Sequence, residues 1–217
     1  VLTSTELLEC VFRREGRSKR LKKLTLIGNP TGARLPHAAE EVESIERSYP
    51  RSLVFTGSQA SKPQLISVAP GSQVLHLATH CNLKPDNPFD SYIHLAPTDT
   101  TDGRWTMTEI WGQSWDKMQL VTLSACESAL GGNQQGLEFE SVARAFALAM
   151  EGPPAIVATL WSVADNSTKE LMVTFYEELK DNTKSEALRK AQQELIHSGK
   201  YAHPFFWAPF ILIGEWR

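Results

Sequence analysis

Hydrophobic positions along the chain form short continuous runs separated by amphipathic stretches. The runs lie at 24–30, where a turn closes the first one, and at 51–57, 72–81, 118–126 and 154–161, and those at 72–81 and 118–126 are apolar on both faces and rich in β-branched residues. This pattern is typical of buried strands in a parallel sheet. The stretches between them place apolar residues at helical spacing, most clearly at 37–47, 137–150, 167–179 and 185–196. The alternation predicts an α/β fold around a mostly parallel sheet with right-handed crossovers.

Three further features complete the predicted secondary structure. Residues 91–107 have the pattern of a β-hairpin with its turn at 98–103. Residues 205–213 are predicted to form a last strand, which Pro209 places at an edge or at a strand start. Asp165 and Asn166 are candidate N-caps of the helix predicted at 167–179.

Composition limits the classes of protein that the chain can belong to. The 217 residues are 41% hydrophobic and 22% charged, with a net charge of −3, which is ordinary for a globular domain. No basic patch indicates nucleic-acid binding, and no apolar stretch approaches the roughly 18 residues of a membrane span. We expect residues 1–23 to connect residues 24–217 to an upstream region, because the chain opens at Val1 within a charged, amphipathic segment.

The chain has three cysteines, Cys10, Cys81 and Cys126. They are few and their number is odd, which argues against a disulfide framework. Their spacing from the histidines matches no structural zinc site. We therefore expect a reducing compartment, most simply the cytoplasm, and no metal or organic cofactor.

Two of the predicted strands end in chemically capable side chains, His80 and Cys126. Because the carboxyl ends of parallel strands meet at one edge of a sheet, these side chains can form a nucleophile–base pair there. The backbone N–H groups of Cys81 and Cys126 are the natural donors to an oxyanion. The alternative is that Cys126 is a buried core residue, as most single cysteines are. His76 shares a strand face with His80 and is expected to be a hydrogen-bonded core residue, or a group that supports the site from behind, in preference to a second base.

Five separated motifs, in order along the chain, carry a family resemblance. They are His-Leu-Ala-Thr-His at 76–80, Leu-Ser-Ala-Cys-Glu-Ser-Ala-Leu-Gly-Gly at 123–132, Ala-Arg-Ala-Phe at 143–146, Ile-Val-Ala-Thr-Leu-Trp-Ser-Val at 156–163, and the segment 203–214. Together they resemble the CHAT domain, a caspase-like family of cysteine peptidases related to separase and often fused to tetratricopeptide (TPR) repeats.

The resemblance implies a caspase–hemoglobinase-like, three-layer α/β/α sandwich over residues 24–217. It also implies that His80 is the dyad histidine and Cys126 the nucleophile. The chain departs from the family at Cys81, where glycine is usual after the histidine, so a β-carbon could crowd the oxyanion there.

In caspase-like folds, the strand after the nucleophile helix helps to line the specificity pocket, which receives the side chain that precedes the scissile bond. Asp165 follows that strand here, and it either receives a basic side chain, as in separases, or only caps the next helix. Ser124 is a candidate for the pocket floor, and Asp116 and Glu127 are further acidic candidates.

These observations lead to a functional hypothesis with rivals. The hypothesis is a cysteine endopeptidase that cleaves a protein substrate through an acyl-enzyme and is gated by an upstream TPR-type or partner domain. The Gly-rich loop at 131–136 is predicted to move over the cleft. The first alternative is a catalytically silent CHAT scaffold that binds a partner protein, and the second is an enzyme acting on a non-peptide acyl group.

Overall fold

The computed structural model of the chain describes residues 21–31, 35–82, 84, 87–124, 146, 149 and 155–217. Within these residues the predicted alternation of strands and helices is present, and every strand of the central sheet coincides with part of a predicted apolar run. The predicted connector at 1–23 lies almost wholly outside the described residues, so its boundary stays a prediction.

The described part of the chain contains a central sheet of six strands. In chain order these are β1 (Leu24–Gly28), β2 (Leu53–Thr56), β3 (Val74–Ala78), β7 (Leu120–Leu123), β8 (Ala155–Thr159) and β9 (Phe210–Ile213). Their spatial order is β2-β1-β3-β7-β8-β9. All neighbours are parallel except β8 and β9, which are antiparallel. The chain reverses its direction of winding between β1 and β3, and ligands bind at such points, beyond the carboxyl ends of the strands.

One face of this sheet is covered by long helices. The helices of the described residues are α1 (Pro36–Ser48), α2 (Lys62–Val68), α3 (Met107–Trp111), α4 (Asp165–Glu178), α5 (Lys184–His197) and α6 (Pro204–Trp207). Helices α1, α4 and α5 form this layer, and their apolar stripes pack on Leu26, Val74 and Leu120. The stripe of α1 consists of Ala38, Val42 and Ile45, spaced as one helix face requires.

The opposite face is covered by α2, α3 and a second, antiparallel sheet. This smaller sheet contains β4 (Cys81–Asn82), β5 (Tyr92–His94) and β6 (Arg104–Thr106), so the predicted hairpin is confirmed. Trp105, Trp115 and Phe146 contact one another edge-on or at a tilt beneath it. All three are almost fully buried, which makes this aromatic cluster the centre of the second core.

The end of the chain differs from its predicted form. The single strand predicted at 205–213 is instead the short helix α6 followed by β9. His203 caps α6 by accepting the N–H of Phe205 on its ring nitrogen at 3.2 Å, and Pro204 occupies the first turn, where a missing N–H costs nothing. Strand β9 is an edge strand, as Pro209 predicted.

The three layers together give the α/β/α sandwich that the sequence predicted. In the described ranges, no helix is both long and apolar enough to cross a membrane.

Candidate active site

His80 lies just beyond the carboxyl end of β3, a strand whose residues are all buried. The carbonyl of His80 accepts the N–H of His94 at 2.9 Å. The neighbouring hydroxyl of Thr79 donates to the carbonyl of His94 at 2.7 Å. These two bonds attach the end of β3 to β5 and hold the half-buried imidazole at the carboxyl edge of the sheet.

The strand that leads to Cys126 runs beside β3. Leu123 of β7 pairs with Leu77 of β3, and the N–H of Ser124 extends the ladder by donating to the Leu77 carbonyl at 3.0 Å. Cys126 follows Ser124 by two positions and lies outside the described residues. The chain thus enters the Cys126 segment at the sheet edge that carries His80.

His80 has a second histidine beside it. The ring of His94 lies 6.3 Å from that of His80, edge to face at 84°, and 4.9 Å from the ring of Tyr92. The guanidinium of Arg104 stands 5.0 Å above Tyr92. Burial lowers the pKa of His94, and the charges of His80 and Arg104 lower it further, so His94 is neutral at neutral pH.

Cys81, the departure from the family pattern, is turned into the core. Its side chain is 4% exposed and belongs to the same apolar cluster as Ile93 and Trp105. Cys81 faces Ile93 across the β4–β5 ladder. Because His80 and His94 make the hydrogen-bonded pair next to it, the alternation of an antiparallel ladder directs the Cys81 N–H away from β5. The β-carbon therefore packs against the interior of the domain.

Ser124, predicted as pocket floor, is also turned inward. It is 1% exposed, and its hydroxyl donates a short hydrogen bond to Oε1 of Glu41 on α1. The same Oε1 lies 2.8 Å from Nε2 of His76, and both side chains are essentially inaccessible. The imidazole approaches the carboxylate closely without good hydrogen-bond alignment. The Ser124 hydroxyl is thus engaged in the interior, and its role at the pocket floor stays a prediction.

Asp165 caps a helix, but not the helix that the sequence predicted. Helix α4 begins at Asp165 itself, and its N-cap is Ala164, which makes no side-chain capping bond. Within the described part of the chain, the Asn166 side chain bonds only its neighbour, accepting the Ser167 N–H at 2.9 Å. Oδ2 of Asp165 instead accepts the N–H of His37 in the first turn of α1, at 2.8 Å. Both helices begin at the carboxyl edge of the sheet, so Asp165 lies on the same edge as His80.

The remaining acidic candidates for the specificity pocket are Asp116 and Glu127. Asp116 is exposed and precedes β7, which places it toward the amino edge of the sheet, away from His80. Glu127 and the loop at 131–136 lie outside the described residues.

Comparison with known proteins agrees with this architecture. The sequence model of the CHAT domain matches residues 1–215. The chain belongs to the CHAT domain family. No curated protein sequence matches it.

Two solved structures show which known folds the CHAT domain is similar to. The Arg-specific cysteine proteinase gingipain R superposes with a TM-score of 0.60 at 11% identity, over 95% of this chain and 51% of that one. Separase in the Saccharomyces cerevisiae separase–securin complex superposes with a TM-score of 0.59 at 16% identity, over 96% of this chain and 13% of that one. The chain thus spans about half of the first protein and a small part of the second. At these identities the likeness establishes the fold, which is that of caspase-like cysteine peptidases.

Two residues near the site of this CHAT domain were not predicted. Glu41 lies within the apolar stripe of α1, between Ala38 and Val42, and a carboxylate on the buried face of a helix is the signal that would have found it. For His94 the available signal is the alternation of the hairpin, which places it on the opposite face of the strand from Ile93. Among the described residues no cluster of histidine, cysteine, aspartate and glutamate is suited to hold a metal ion.

Proposed function

We propose that this CHAT domain is a cysteine endopeptidase that cleaves a protein substrate with His80 and Cys126 as its dyad. The observation that supports this most strongly is the pairing of β3 and β7. The two strands are parallel, hydrogen-bonded neighbours, and the chain reaches His80 and Cys126 directly beyond their carboxyl ends. A nucleophile and its base need this kind of shared edge.

The reaction follows from the chemistry of a thiol and an imidazole. The Cys126 thiolate attacks the carbonyl carbon of the peptide bond, and the carbonyl oxygen becomes an oxyanion. The C–N bond then breaks, and the imidazolium of His80 gives its proton to the departing amine, which leaves a thioester on Cys126. His80 next takes a proton from water, and the resulting hydroxide attacks the thioester carbonyl, which releases the acyl group as a carboxylic acid and restores the Cys126 thiolate beside the His80 imidazolium.

The surroundings of the dyad fit these steps. The N–H of Cys81 is directed away from β5, and with the N–H of Cys126 it would stabilise the oxyanion. His94 stays neutral beside His80, so it adds no second positive charge that would oppose protonation of the dyad histidine.

We further propose that Asp165 favours a basic residue immediately before the cut. One of its carboxylate oxygens binds the first turn of α1, and a carboxylate has a second oxygen with which to meet an incoming Lys or Arg. Gingipain R, which has this fold, is described as Arg-specific. The substrate is a protein chain, and the reaction needs no metal or organic cofactor.

The environment and control of the reaction are part of the same proposal. A nucleophilic cysteine must stay reduced, so a reducing compartment such as the cytoplasm suits this reaction. An upstream TPR-type or other regulatory domain would gate the cleft.

A cleavage screen tests the proposal. Wild type, Cys126→Ala and His80→Ala are each incubated with a proteome-derived peptide library, and new amino termini are counted by mass spectrometry. Both variants should abolish cleavage while keeping the wild-type circular dichroism spectrum. His197→Ala is the matched control, because His197 is an exposed histidine at the end of α5, and it should cleave as wild type does.

The result that contradicts the proposal is equally definite. Cleavage by Cys126→Ala at the wild-type rate would exclude the dyad. Absence of cleavage, together with a Cys126 thiol that iodoacetamide alkylates no faster at neutral pH than an ordinary cysteine, would favour the silent scaffold that binds a partner protein. Release of a non-peptide acyl group in place of new amino termini would favour the other enzyme class.

A further inference from the structure

The interior beneath the site holds a polar cluster that the proposed reaction does not use. Glu41, His76 and Ser124 are all essentially inaccessible to solvent, and they come from three different elements: α1, β3 and the end of β7. One atom, Oε1 of Glu41, contacts both the Ser124 hydroxyl and Nε2 of His76, the latter at 2.8 Å. A charged side chain is rarely buried in this way unless its partners compensate for the lost hydration.

The cluster joins the two strands that carry the proposed dyad. His76 precedes His80 by four positions on β3, and Ser124 precedes Cys126 by two positions after β7. The backbone bond from the Ser124 N–H to Leu77 runs between the same strands. The carboxylate of Glu41 therefore links β7 to β3, through a hydrogen bond to Ser124 and a close contact with His76, near the edge where both strands end.

Tyr176 limits movement within the cluster. Its ring meets the ring of His76 edge-on at 5.4 Å, and its hydroxyl bonds Thr122 of β7 at 2.9 Å. Burial raises the pKa of Tyr176 far above its usual value, and the charge of Glu41 acts in the same direction, so the phenol stays neutral. These contacts hold the His76 ring that lies against the Glu41 carboxylate.

We propose that Glu41 is a positioning residue. From helix α1, it holds β3 and β7 together and so sets the relative placement of His80 and Cys126. The inference rests on the proposed dyad and adds to it a group that touches neither substrate nor the reacting atoms. Displacements of about 1 Å at a catalytic pair cost on the order of a hundredfold in rate, so a link at the strand ends has a measurable effect.

The test measures the reactivity of the Cys126 thiol as a function of pH. Alkylation of the Cys126 peptide by iodoacetamide is followed by mass spectrometry in wild type, Glu41→Gln and Ser124→Ala. A thiolate held near an imidazolium forms below the ordinary cysteine pKa of about 8.5. Both variants should move the midpoint of the rate profile upward and slow alkylation about tenfold at neutral pH. The rates should converge in alkaline solution, where any accessible thiol is ionised.

Ser72→Ala is the matched control. Ser72 is also a buried serine beside β3, and its hydroxyl bonds Thr25 at 2.6 Å, but it lies at the amino end of the strand. Its hydroxyl also donates to the Val68 carbonyl at 3.1 Å, so removing it costs buried hydrogen bonds without touching Glu41, His76 or Ser124. Ser72→Ala should lower the melting temperature and leave the Cys126 profile as in wild type. Hydrogen exchange of peptides covering 74–82 should be faster in Ser124→Ala than in Ser72→Ala.

The outcomes separate the inference from the proposed function. An activated wild-type thiol whose profile is the same in Glu41→Gln and Ser124→Ala overturns the positioning role and leaves the dyad intact. A wild-type thiol with the profile of an ordinary cysteine, unchanged in His80→Ala, overturns the dyad itself, and the positioning role with it. If Glu41→Gln does not fold, Ser124→Ala decides, because it deletes a single hydroxyl and keeps the carboxylate.

Discussion

Oδ2 of Asp165 lies 2.8 Å from the backbone nitrogen of His37 and accepts its hydrogen bond. The first residue of α4 thus caps the first turn of α1. A second contact reinforces the arrangement, since Lys169 of α4 reaches Glu40 of α1 at 2.6 Å and lowers the pKa of that carboxyl. These two contacts join α1 to α4 at the carboxyl edge of the sheet, beside the candidate active site.

Asp165→Asn separates the capping role of this residue from its proposed contact with substrate. Asn keeps an acceptor for the His37 N–H, so the free energy of unfolding should fall by no more than about 1 kcal/mol, the value of a charge at a helix N-terminus. Losing a charge-assisted bond worth about 1.5–3 kcal/mol should lower kcat/KM roughly 10- to 150-fold for peptides with Arg before the cut. Matched Arg and Met peptides provide the measurement. An equal loss on both peptides would leave Asp165 as a cap alone.

The layer architecture could be predicted from the sequence because it depends on local pattern. Apolar runs bounded by turn residues identified β1, β3, β7 and β8, and the position of His80 followed from the end of β3. The hairpin was equally clear, since Ile93 and Trp105 alternate with polar neighbours. In each case the signal lies within about ten residues.

The partners of the site residues could not be predicted, because they are distant in sequence. Asp165 and His37 are 128 positions apart, and Ser124 and Glu41 are 83 positions apart. Helical spacing places Glu41 on a buried stripe but does not say which strand it meets. Helix α6 was missed for a different reason: a run of aromatic residues at 205–207 satisfies a strand pattern as well as a helical one, and the cap at His203 decides between them.

Gly103 is expected to tolerate no side chain. Its φ is +79°, and a β-carbon would lie 2.3 Å from the carbonyl oxygen of Leu95 in the hairpin. Gly57 is a matched control, because its φ of +52° imposes similar backbone strain while nothing lies within 4 Å of a β-carbon. Gly57→Ala should cost about 1–2 kcal/mol, and Gly103→Ala distinctly more, as measured by urea unfolding. Equal losses would mean that the hairpin relaxes around the added methyl group.

Phe146 is expected to be among the largest contributors to the second core. Its ring lies 6.0 Å from that of Trp105 and 5.6 Å from that of Trp115, and it is fully buried. Phe146→Ala should therefore destabilise the domain by about 3–5 kcal/mol. Phe205→Ala is the control, since Phe205 is 46% exposed and should cost far less. A small effect of Phe146→Ala in urea unfolding would show that the aromatic cluster can collapse onto the space left behind.

His94 is expected to make the domain less stable in acid. Burial lowers its pKa in the folded chain, and the charges of His80 and Arg104 act in the same direction. Above the unfolded value of about 6.5 both states hold His94 neutral, so it contributes no pH dependence there. As the pH falls below that value, the unfolded chain takes up a proton that the folded chain resists, and stability is lost until the pH reaches the pKa of His94 in the folded chain.

His94→Gln should therefore lose less stability than wild type between about pH 7.5 and pH 5, measured as the change in melting temperature. His197→Gln removes an exposed histidine at the end of α5 and controls for the loss of one titrating group. A wild-type acid response in His94→Gln would place the pH dependence on other groups.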